Sequence, residues 1–268
     1  MEKSKQMLKN LAESAKTNLC FGIDPSFEKL KGTEGEIGQR ITNYYFEITD
    51  LLIKEGQISA IKPNYAFFAQ YGFEGIMALK SVISRYKNQT FVILDAKRGD
   101  IGKTGLAYAK EAYDFFGAHA VTVSPYMGTD SVAPFVREDK LAYVLCRTSN
   151  EGAKDFQEQQ IGSKKLYELV AQKSIVWKTG LVVGATSDAI ADIAKMTKNQ
   201  TPLLIPGIGS QGGDLDATLK AIKTNPAIHR INASSSIAFA YEKRAGLKPA
   251  KAALEEATSL NEKIRKYF

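Results

Sequence analysis

The segment FVILDAKRGDIGKT, residues 91–104, consists of four apolar residues followed directly by charged ones. Such a short apolar run is typical of a buried strand, which we expect to end just before Asp95. On a strand, residues i and i+2 point to the same side, so Asp95 and Lys97 should face together. Gly99 allows a turn there, and Asp100 follows just past the strand end. The segment therefore predicts a buried strand with charged side chains at its carboxyl end.

Similar short runs recur on both sides of this segment, with helical stretches between them. Apolar residues have helical spacing from Ile37 to Leu52, and again at Ile190, Ile193 and Met196 after the start signal at residues 186–188. Strand–helix alternation repeated about eight times predicts a (β/α)8 barrel, one domain over residues 1–268. An open doubly wound sheet is the alternative, but no G-x-G-x-x-G turn follows the first strand. The predicted strands are Leu19–Ile23, Ser59–Lys62, Phe91–Leu94, Ala120–Val123, Ala142–Leu145, Gly180–Val183, Pro202–Ile205 and Ile228–Asn232.

The composition excludes several classes of protein. With 44% hydrophobic and 24% charged residues among 268, the chain is neither disordered nor collagen-like. No apolar run approaches the ~20 residues of a membrane helix, and the first residues do not resemble a signal peptide, so we expect a cytoplasmic protein. The net charge is 36 − 29 = +7, but no dense Lys/Arg stripe indicates nucleic-acid binding.

The two cysteines and the two histidines do not predict a metal site. Cys20 and Cys146 each lie inside an apolar run, which indicates buried reduced thiols. His119 and His229 precede strand-like runs and have no carboxylate beside them. We therefore expect neither zinc binding nor histidine-based catalysis.

Polar or special residues follow nearly every predicted strand. In a barrel, the carboxyl ends of the strands form one face, and active sites are built there. Polar residues also end strands elsewhere because turns need them, so the pattern is informative only in aggregate. The residues are Asp24, Lys62-Pro63-Asn64, Asp95 and Lys97, Ser124, Arg147-Thr148-Ser149, Thr186, Gly207–Gly213, and Asn232–Ser236.

Lys97 is the main candidate for chemistry at this face. A buried lysine held between the carboxylates of Asp95 and Asp100 would keep its proton, since nearby negative charge favours the charged form. Such a fixed cation can stabilise a developing carbanion and then protonate it. The alternative is an ion-pair cluster on the surface, which usually contributes little to stability.

A second signal is the segment PGIGSQGGD, residues 206–214, before the predicted helix Leu215–Lys223. Four glycines within seven residues leave backbone N–H groups free to face an anion, and a helix N-terminus adds a favourable dipole. The segment is not a Walker A sequence. In the penultimate βα loop of a barrel, it predicts a phosphate site that includes Gly209.

Together these segments resemble orotidine 5′-phosphate decarboxylases. The resemblance covers nearly the whole chain in the right order, and the DAKRGD form is similar to the longer bacterial subgroup. It implies cofactor-free decarboxylation of orotidine 5′-phosphate (OMP) to UMP in de novo pyrimidine biosynthesis. The residues that carry it are Asp24, Ile61-Lys62-Pro63-Asn64, Asp95-Ala-Lys97-Arg-Gly-Asp100-Ile, Ser124-Pro-Tyr-Met-Gly, Leu145-Cys-Arg-Thr-Ser149-Asn, and Pro206-Gly-Ile-Gly-Ser-Gln211-Gly-Gly.

The resemblance also implies roles for single residues. Lys97 would protonate C6 of the pyrimidine, Asp95 would lie against the substrate carboxylate, and Lys62 would hold Asp95 and the ribose hydroxyl region. It further implies a homodimer with shared sites, in which Asp100 joins Lys97 of the partner subunit and Thr104 contacts the ribose. The implied substrate contacts are Asp24 with a ribose hydroxyl, Ser149 with the pyrimidine edge, and Gln211 with the phosphate. No metal or organic cofactor is implied.

Two positions depart from the family pattern. Residues 150–152 read Asn-Glu-Gly where the family usually has Asn-Pro-Gly, which is a minor loop change. Ser235, which we count among the substrate-binding residues, occupies the position of an arginine that grips the phosphate in the family. This second departure weakens the phosphate assignment but leaves Lys62, Asp95, Lys97 and Asp100 intact.

Two other functions remain as alternatives. One is a metal-dependent sugar-phosphate aldolase or decarboxylase of the same suprafamily, in which the Asp-x-Lys-x-x-Asp residues surround magnesium. Arg98-Gly99 and the segment SPYMG, residues 124–128, favour the orotidylate reaction instead. The other alternative is a non-catalytic barrel that binds a phosphopyrimidine, against which the intact charged residues argue.

Overall fold

Eight parallel strands close into a barrel in the computed structural model, which describes residues 1–186, 188–209, 212–244 and 246–268. Each strand pairs with its neighbours along the chain, and the eighth closes the barrel against the first. The predicted (β/α)8 barrel is confirmed. In chain order the strands are β1 (Leu19–Ile23), β2 (Ala60–Pro63), β3 (Phe91–Arg98), β4 (Ala120–Val123), β5 (Leu141–Arg147), β6 (Gly180–Val183), β7 (Leu203–Pro206) and β8 (Arg230–Ala233).

Helices connect the strands around the outside of the barrel. The α5 helix continues as a π-helical turn over Glu111–Phe115, and a small antiparallel hairpin (Gln160–Ile161 with Lys164–Lys165) lies between β5 and β6. The helices are α1 (Glu2–Ala15), α2 (Ile37–Lys54), α3 (Tyr65–Ala69), α4 (Gly72–Tyr86), α5 (Gly102–Lys110), α6 (Thr129–Val132), α7 (Ala153–Phe156), α8 (Leu166–Trp177), α9 (Ala189–Met196), α10 (Leu215–Ile222), α11 (Ser235–Ala238) and α12 (Pro249–Ile264). Among the residues described, no helix is long and apolar enough to cross a membrane.

Most element boundaries agree with the sequence analysis, and the differences have local causes. Predicted strands β1, β4 and β6 match, whereas β3 extends four residues beyond Leu94 to Arg98. There the pairing with β4 shifts register, so that Arg98 still pairs with Val123. Strand β8 starts later than predicted, because Pro226–Ile228 forms a 3-10 turn. Part of the start signal of α9, Ser187, lies outside the described residues.

The core has two layers separated by the strands. Because side chains alternate along a strand, Leu19, Phe21 and Ile23 of β1 pack in the larger cluster with the helices, while Cys20 packs in the smaller one inside the barrel. Leu8 of α1 belongs to this inner cluster. Helix α1 therefore covers the amino-terminal end of the barrel and leaves the carboxyl ends of the strands open.

Both histidines tie neighbouring strands together at their amino-terminal ends. Nδ1 of His119 accepts a hydrogen bond from the backbone N–H of Val92 at 3.0 Å, and Nδ1 of His229 accepts one from Leu203 at 3.1 Å. Burial lowers the pKa of His119 to about 4 and that of His229 to about 3. Both imidazoles are therefore neutral acceptors that serve the fold.

The thiols of Cys20 and Cys146 are buried and unpaired, as predicted. Burial raises the pKa of the Cys20 thiol to about 12, and it raises the pKa of Cys146 as well. A thiol that stays protonated is a poor nucleophile and a poor metal ligand. These cysteines are packing residues.

Candidate active site

A cavity of about 740 Å³ opens at the carboxyl ends of the strands. Its walls come from β2 to β8 and from the loops that follow the strands, as expected for a barrel. The structure places six of the predicted site residues in its lining. They are Asp24, Lys62, Asp95, Lys97, Ser149 and Ser235.

Asp95 is the centre of the charged part of this cavity. Its Oδ2 lies 2.7 Å from Nζ of Lys62, and its Oδ1 lies 2.7 Å from Nζ of Lys97. The hydroxyl of Thr122 donates to Oδ1 at 2.9 Å. Both carboxylate oxygens are thus occupied by charged or polar donors, and the three charged groups carry one net positive charge (+2 − 1).

A local change in the backbone of β3 aims Lys97. At the register shift, Lys97 has φ +49°, a left-handed conformation that non-glycine residues rarely adopt. Its backbone N–H donates to the hydroxyl oxygen of Thr122 at 2.9 Å, which holds the segment in place. Backbone strain of this kind is often found at functional sites. Thr122 therefore fixes the backbone of Lys97 and also the Asp95 carboxylate, which the Lys97 ammonium contacts.

The charges in this cluster stabilise one another. Burial lowers the pKa of Lys62, but the charges of Asp95 and Asp24 outweigh burial and hold the pKa above its ordinary value. Burial likewise raises the pKa of Asp95, but Lys62 and Lys97 outweigh it and hold the pKa well below its ordinary value. Asp95 and Lys62 are therefore both ionised at neutral pH.

The arrangement differs from the expected lysine buried between two carboxylates. Within one chain a carboxylate lies between two lysines, and the Lys97 side chain is 51% exposed. The carboxylate of Asp100, which lies beyond the end of β3 at Arg98, accepts instead from the backbone N–H of Ile101 at 2.8 Å. Neither Asp100 nor Thr104 lines the cavity of its own chain, and Thr104 is exposed on α5.

The wall formed by β1 and β8 carries free acceptor oxygens. Oδ1 of Asp24 and Oδ1 of Asn232 are buried and have no hydrogen-bond partner among the described residues, and both side chains line the cavity. Gly22 allows the two strands to approach here, because a Cβ at this position would lie 1.8 Å from the Ser234 hydroxyl. Buried polar atoms usually have a hydrogen-bond partner. These two oxygens can accept hydrogen bonds from hydroxyl groups, so a ligand that carries hydroxyls would supply the partners.

The predicted phosphate site is defined only in part. Gly209 has φ +91°, and a Cβ there would lie 2.7 Å from the hydroxyl oxygen of Ser236, so glycine is required. Gly207 and Ile208 line the cavity, whereas Gly209 itself does not, and Gln211 lies outside the described residues. Ser235 is exposed at the opening, at the start of α11.

Two arginines near Ser235 in sequence are engaged elsewhere. Arg230 is fully buried and donates to the carbonyl oxygens of Leu8, Ala227 and His229, at the end of the barrel covered by α1. Arg244 pairs with Glu255 and Glu256 of α12. Neither arginine lines the cavity.

Sequence reasoning missed several residues of the site. Thr122 was recognisable as the single polar residue within the apolar strand Ala120–Val123. Gln157 closes the loop after β5, since its Oε1 accepts from the backbone N–H of Thr148 at 2.8 Å and its Nε2 donates to the Thr148 hydroxyl at 2.9 Å. Lys29 also lines the cavity, and nothing in its local sequence distinguishes it from other surface lysines.

Comparisons with known proteins agree on one family. The model of the orotidine 5′-phosphate decarboxylase / HUMPS family matches residues 17–250. A protein of Janthinobacterium sp. named orotidine 5′-phosphate decarboxylase is 40% identical over 265 residues, 96% of each chain. One of Herpetosiphon aurantiacus with the same name is 39% identical over 245 residues, 88% of this chain and 89% of that protein.

Solved structures lead to the same family. The OMP decarboxylase of Leishmania donovani superposes with a TM-score of 0.78 and 36% identity, over 98% of this chain and 99% of that one. The UMP synthase of the same organism superposes with a TM-score of 0.79 and 37% identity. The match covers 96% of this chain but only 56% of that longer chain. The similarity thus extends over the whole barrel.

Proposed function

This chain belongs to the orotidine 5′-phosphate decarboxylase family and converts OMP to UMP and carbon dioxide, and we propose that Lys62, Asp95 and Lys97 perform the reaction. The observation that carries the proposal is the Asp95 carboxylate held between the ammonium groups of Lys62 and Lys97, both at 2.7 Å. In this proposal, Lys97 is the proton donor, and Lys62 and Asp95 keep it charged and oriented.

The chemistry explains why a lysine is needed. When the bond between C6 and the carboxylate breaks, its electron pair stays on C6, in an orbital that cannot delocalise into the pyrimidine π system. Without an organic electron sink, stabilisation must come from a charge already in place. The Lys97 ammonium supplies that charge and then transfers a proton to C6, leaving a neutral amine that regains a proton from solvent.

The rest of the cavity binds the nucleotide. We assign Asp24 to a ribose hydroxyl, because its buried Oδ1 has no hydrogen-bond partner in the described part of the chain, and Ser149 to the pyrimidine edge. The loop that contains Gly209 and Gln211 is assigned to the phosphate, together with Ser235. Binding energy from this remote group can close loops and orient the ring, and the candidate lids are the segment 150–162 and the glycine-rich loop after β7.

We further propose a homodimer with shared sites. Several large apolar side chains are exposed on α4, on and around α5, and in the loop after β4, and monomers rarely expose large apolar patches without a partner. These side chains are Phe73, Met77, Ile101, Leu106, Phe115 and Tyr126, exposed by 51–92%. The half-exposed Lys97 leaves room for Asp100 of the partner subunit to complete the site.

We also propose a single-domain organisation, a bacterial subgroup and a cellular location for this enzyme. Residues 1–268 act as one domain, because α1 covers the barrel and Asn261 of α12 bonds to Thr17 and Gln57 in the core. The enzyme belongs to the longer bacterial subgroup, with its DAKRGD motif, and works in the cytoplasm on a nucleotide, without metal or organic cofactor.

The competing metal-dependent aldolase is less favoured by the geometry. Both oxygens of Asp95 already accept from donors at 2.7–2.9 Å, so a cation at this carboxylate would have to displace Lys62 or Lys97. The decisive assay follows the loss of OMP absorbance with and without a chelator. We expect equal rates. Loss of all activity with the chelator would support the metal-dependent reaction, and OMP binding without turnover would support the non-catalytic barrel.

A further inference from the structure

Three lysines contribute to the cavity lining among the residues that the structure describes: Lys29, Lys62 and Lys97. The ammonium groups of Lys62 and Lys97 are both bound to Asp95. Lys29 lies at the end of the 3-10 turn Phe27–Lys29, directly after β1. Among these three lysines, Lys29 is the one that is not bound to Asp95. It can therefore contact an anion in another part of the cavity.

The contacts of Lys29 place it beside the segment that follows Ser235. Its Nζ lies 5.1 Å from the ring centroid of Phe239 and 3.0 Å from Oε1 of Glu242. The hydroxyl of Tyr241 donates to the carbonyl oxygen of Lys29 at 3.0 Å. Because Phe239 and Ser235 both line the cavity, Lys29 borders the part of it where Ser235 replaces the arginine of the family pattern.

A phosphate monoester carries up to two negative charges, and a serine hydroxyl offers it only one neutral hydrogen bond. The two arginines near Ser235 in sequence are bound outside the cavity. We propose that Lys29 binds the phosphate group of OMP and supplies the positive charge that position 235 lacks. This inference rests on the proposed function, which brings a phosphate monoester into the cavity.

Glu242 gives the lysine a defined position before substrate binds. An ammonium group has three donor hydrogens, so Lys29 can keep its contact with Glu242 while it donates to phosphate oxygens. The side chains of Lys29 and Glu242 are 42% and 44% exposed, so this ion pair is not enclosed by the protein.

The test compares Lys29→Gln with Lys31→Gln. Lys31 is a matched control, because it lies two residues further along the same loop with its Nζ 4.4 Å from the ring centroid of Tyr241, yet it does not line the cavity. We expect Lys29→Gln to lower kcat/KM for OMP about tenfold or more and Lys31→Gln to leave it within about twofold. Neither variant should change the slow turnover of orotidine, which lacks the phosphate. Equal losses with OMP and orotidine, or no loss from Lys29→Gln, would overturn the proposal.

Equilibrium binding of UMP and uridine separates this inference from the proposed reaction. If Lys29 binds the phosphate, Lys29→Gln weakens UMP about tenfold and uridine hardly at all, whether or not the protein turns over OMP. Adding Ser235→Arg to Lys29→Gln should then restore UMP affinity. Unchanged UMP affinity in Lys29→Gln would refute the role of Lys29 even if the decarboxylase activity is intact.

Discussion

The ammonium group of Lys62 lies 2.7 Å from Oδ2 of Asp95, and the two side chains are only 5% and 9% exposed. A buried ion pair of this kind contributes little net stability, but removing one partner leaves an unpaired buried charge. Asp95 is also the group that Lys97 contacts through its other oxygen. The same carboxylate thus supports the fold of the site and the position of the proposed proton donor.

Asp95→Asn should therefore destabilise the protein by about 3–5 kcal/mol, because it leaves two ammonium groups facing a neutral amide. The matched control is Asp216→Asn, which removes an ion pair with Lys263 at the surface. Asp216→Asn should lower the free energy of unfolding by at most about 1 kcal/mol. Urea unfolding at pH 7 measures both. Equal stability of Asp95→Asn and the wild type would mean that the buried pair is not needed to hold Lys62.

Shared active sites predict complementation between two inactive variants. Lys97→Ala and Asp100→Ala chains, mixed and allowed to exchange subunits, should recover up to about a quarter of wild-type activity, since half of the dimers contain one complete site. Lys97→Ala mixed with the Lys97→Ala/Asp100→Ala double variant is the control and should stay inactive. If the first mixture also stays inactive after exchange has been verified, each chain carries its own complete site.

Ser235→Arg should improve catalysis, because a guanidinium offers phosphate a charged and often bidentate contact. Hydrogen bonds to charged groups contribute about 1.5–3 kcal/mol, so we expect kcat/KM for OMP to rise at least about tenfold when Ser235→Arg is added to Lys29→Gln. In the wild type, where Lys29 already offers the phosphate one charged contact, the gain should be smaller. Orotidine should gain very little. An unchanged kcat/KM for OMP when Ser235→Arg is added to Lys29→Gln would show that position 235 does not face the phosphate.

The two histidines predict a loss of stability in mild acid. The folded protein keeps His119 and His229 neutral, with pKa values of about 4 and 3, whereas an unfolded histidine titrates near 6.5. Their contribution is complete well above pH 6.5 and is lost as the pH falls toward about 4 for His119 and about 3 for His229, because the unfolded chain then binds more protons. At pH 5 the loss is about 2 kcal/mol for each imidazole.

Urea unfolding between pH 5 and 8 measures this dependence. The chain has only two histidines, so His119→Asn and His229→Asn should each make the pH dependence shallower, and the double variant should remove most of it. A slope between pH 5 and 6.5 that is the same in the double variant and the wild type would assign the effect to other groups.

The sequence predicted the barrel well because strand periodicity and polar strand ends are local signals. Asp95, Lys62 and Asp24 reach the cavity for the same reason, since each follows or ends a buried apolar run. The left-handed conformation of Lys97 was not predictable, because it depends on the register between β3 and β4 and on Thr122 across the sheet.

Tertiary contacts also decide the roles of the cationic residues. Arg230 and Lys29 are ordinary basic residues in sequence, yet the fold buries Arg230 against Leu8 at the closed end of the barrel and brings Lys29 to the opening beside Phe239. Such placements depend on residues more than 200 positions apart, which no local pattern reports.

The turnover of OMP by Lys97→Ala shows whether the Lys97 ammonium protonates C6. The Lys97 side chain is half exposed, so its removal should leave the circular dichroism spectrum and Tm close to those of the wild type. Lys54→Ala, an exposed lysine of α2, is the control and should keep full activity. Because a positioned general acid contributes 10²-fold or more, we predict that Lys97→Ala keeps less than about a hundredth of wild-type kcat. A folded Lys97→Ala protein with more than about a tenth of wild-type activity would show that Lys97 is not the proton donor.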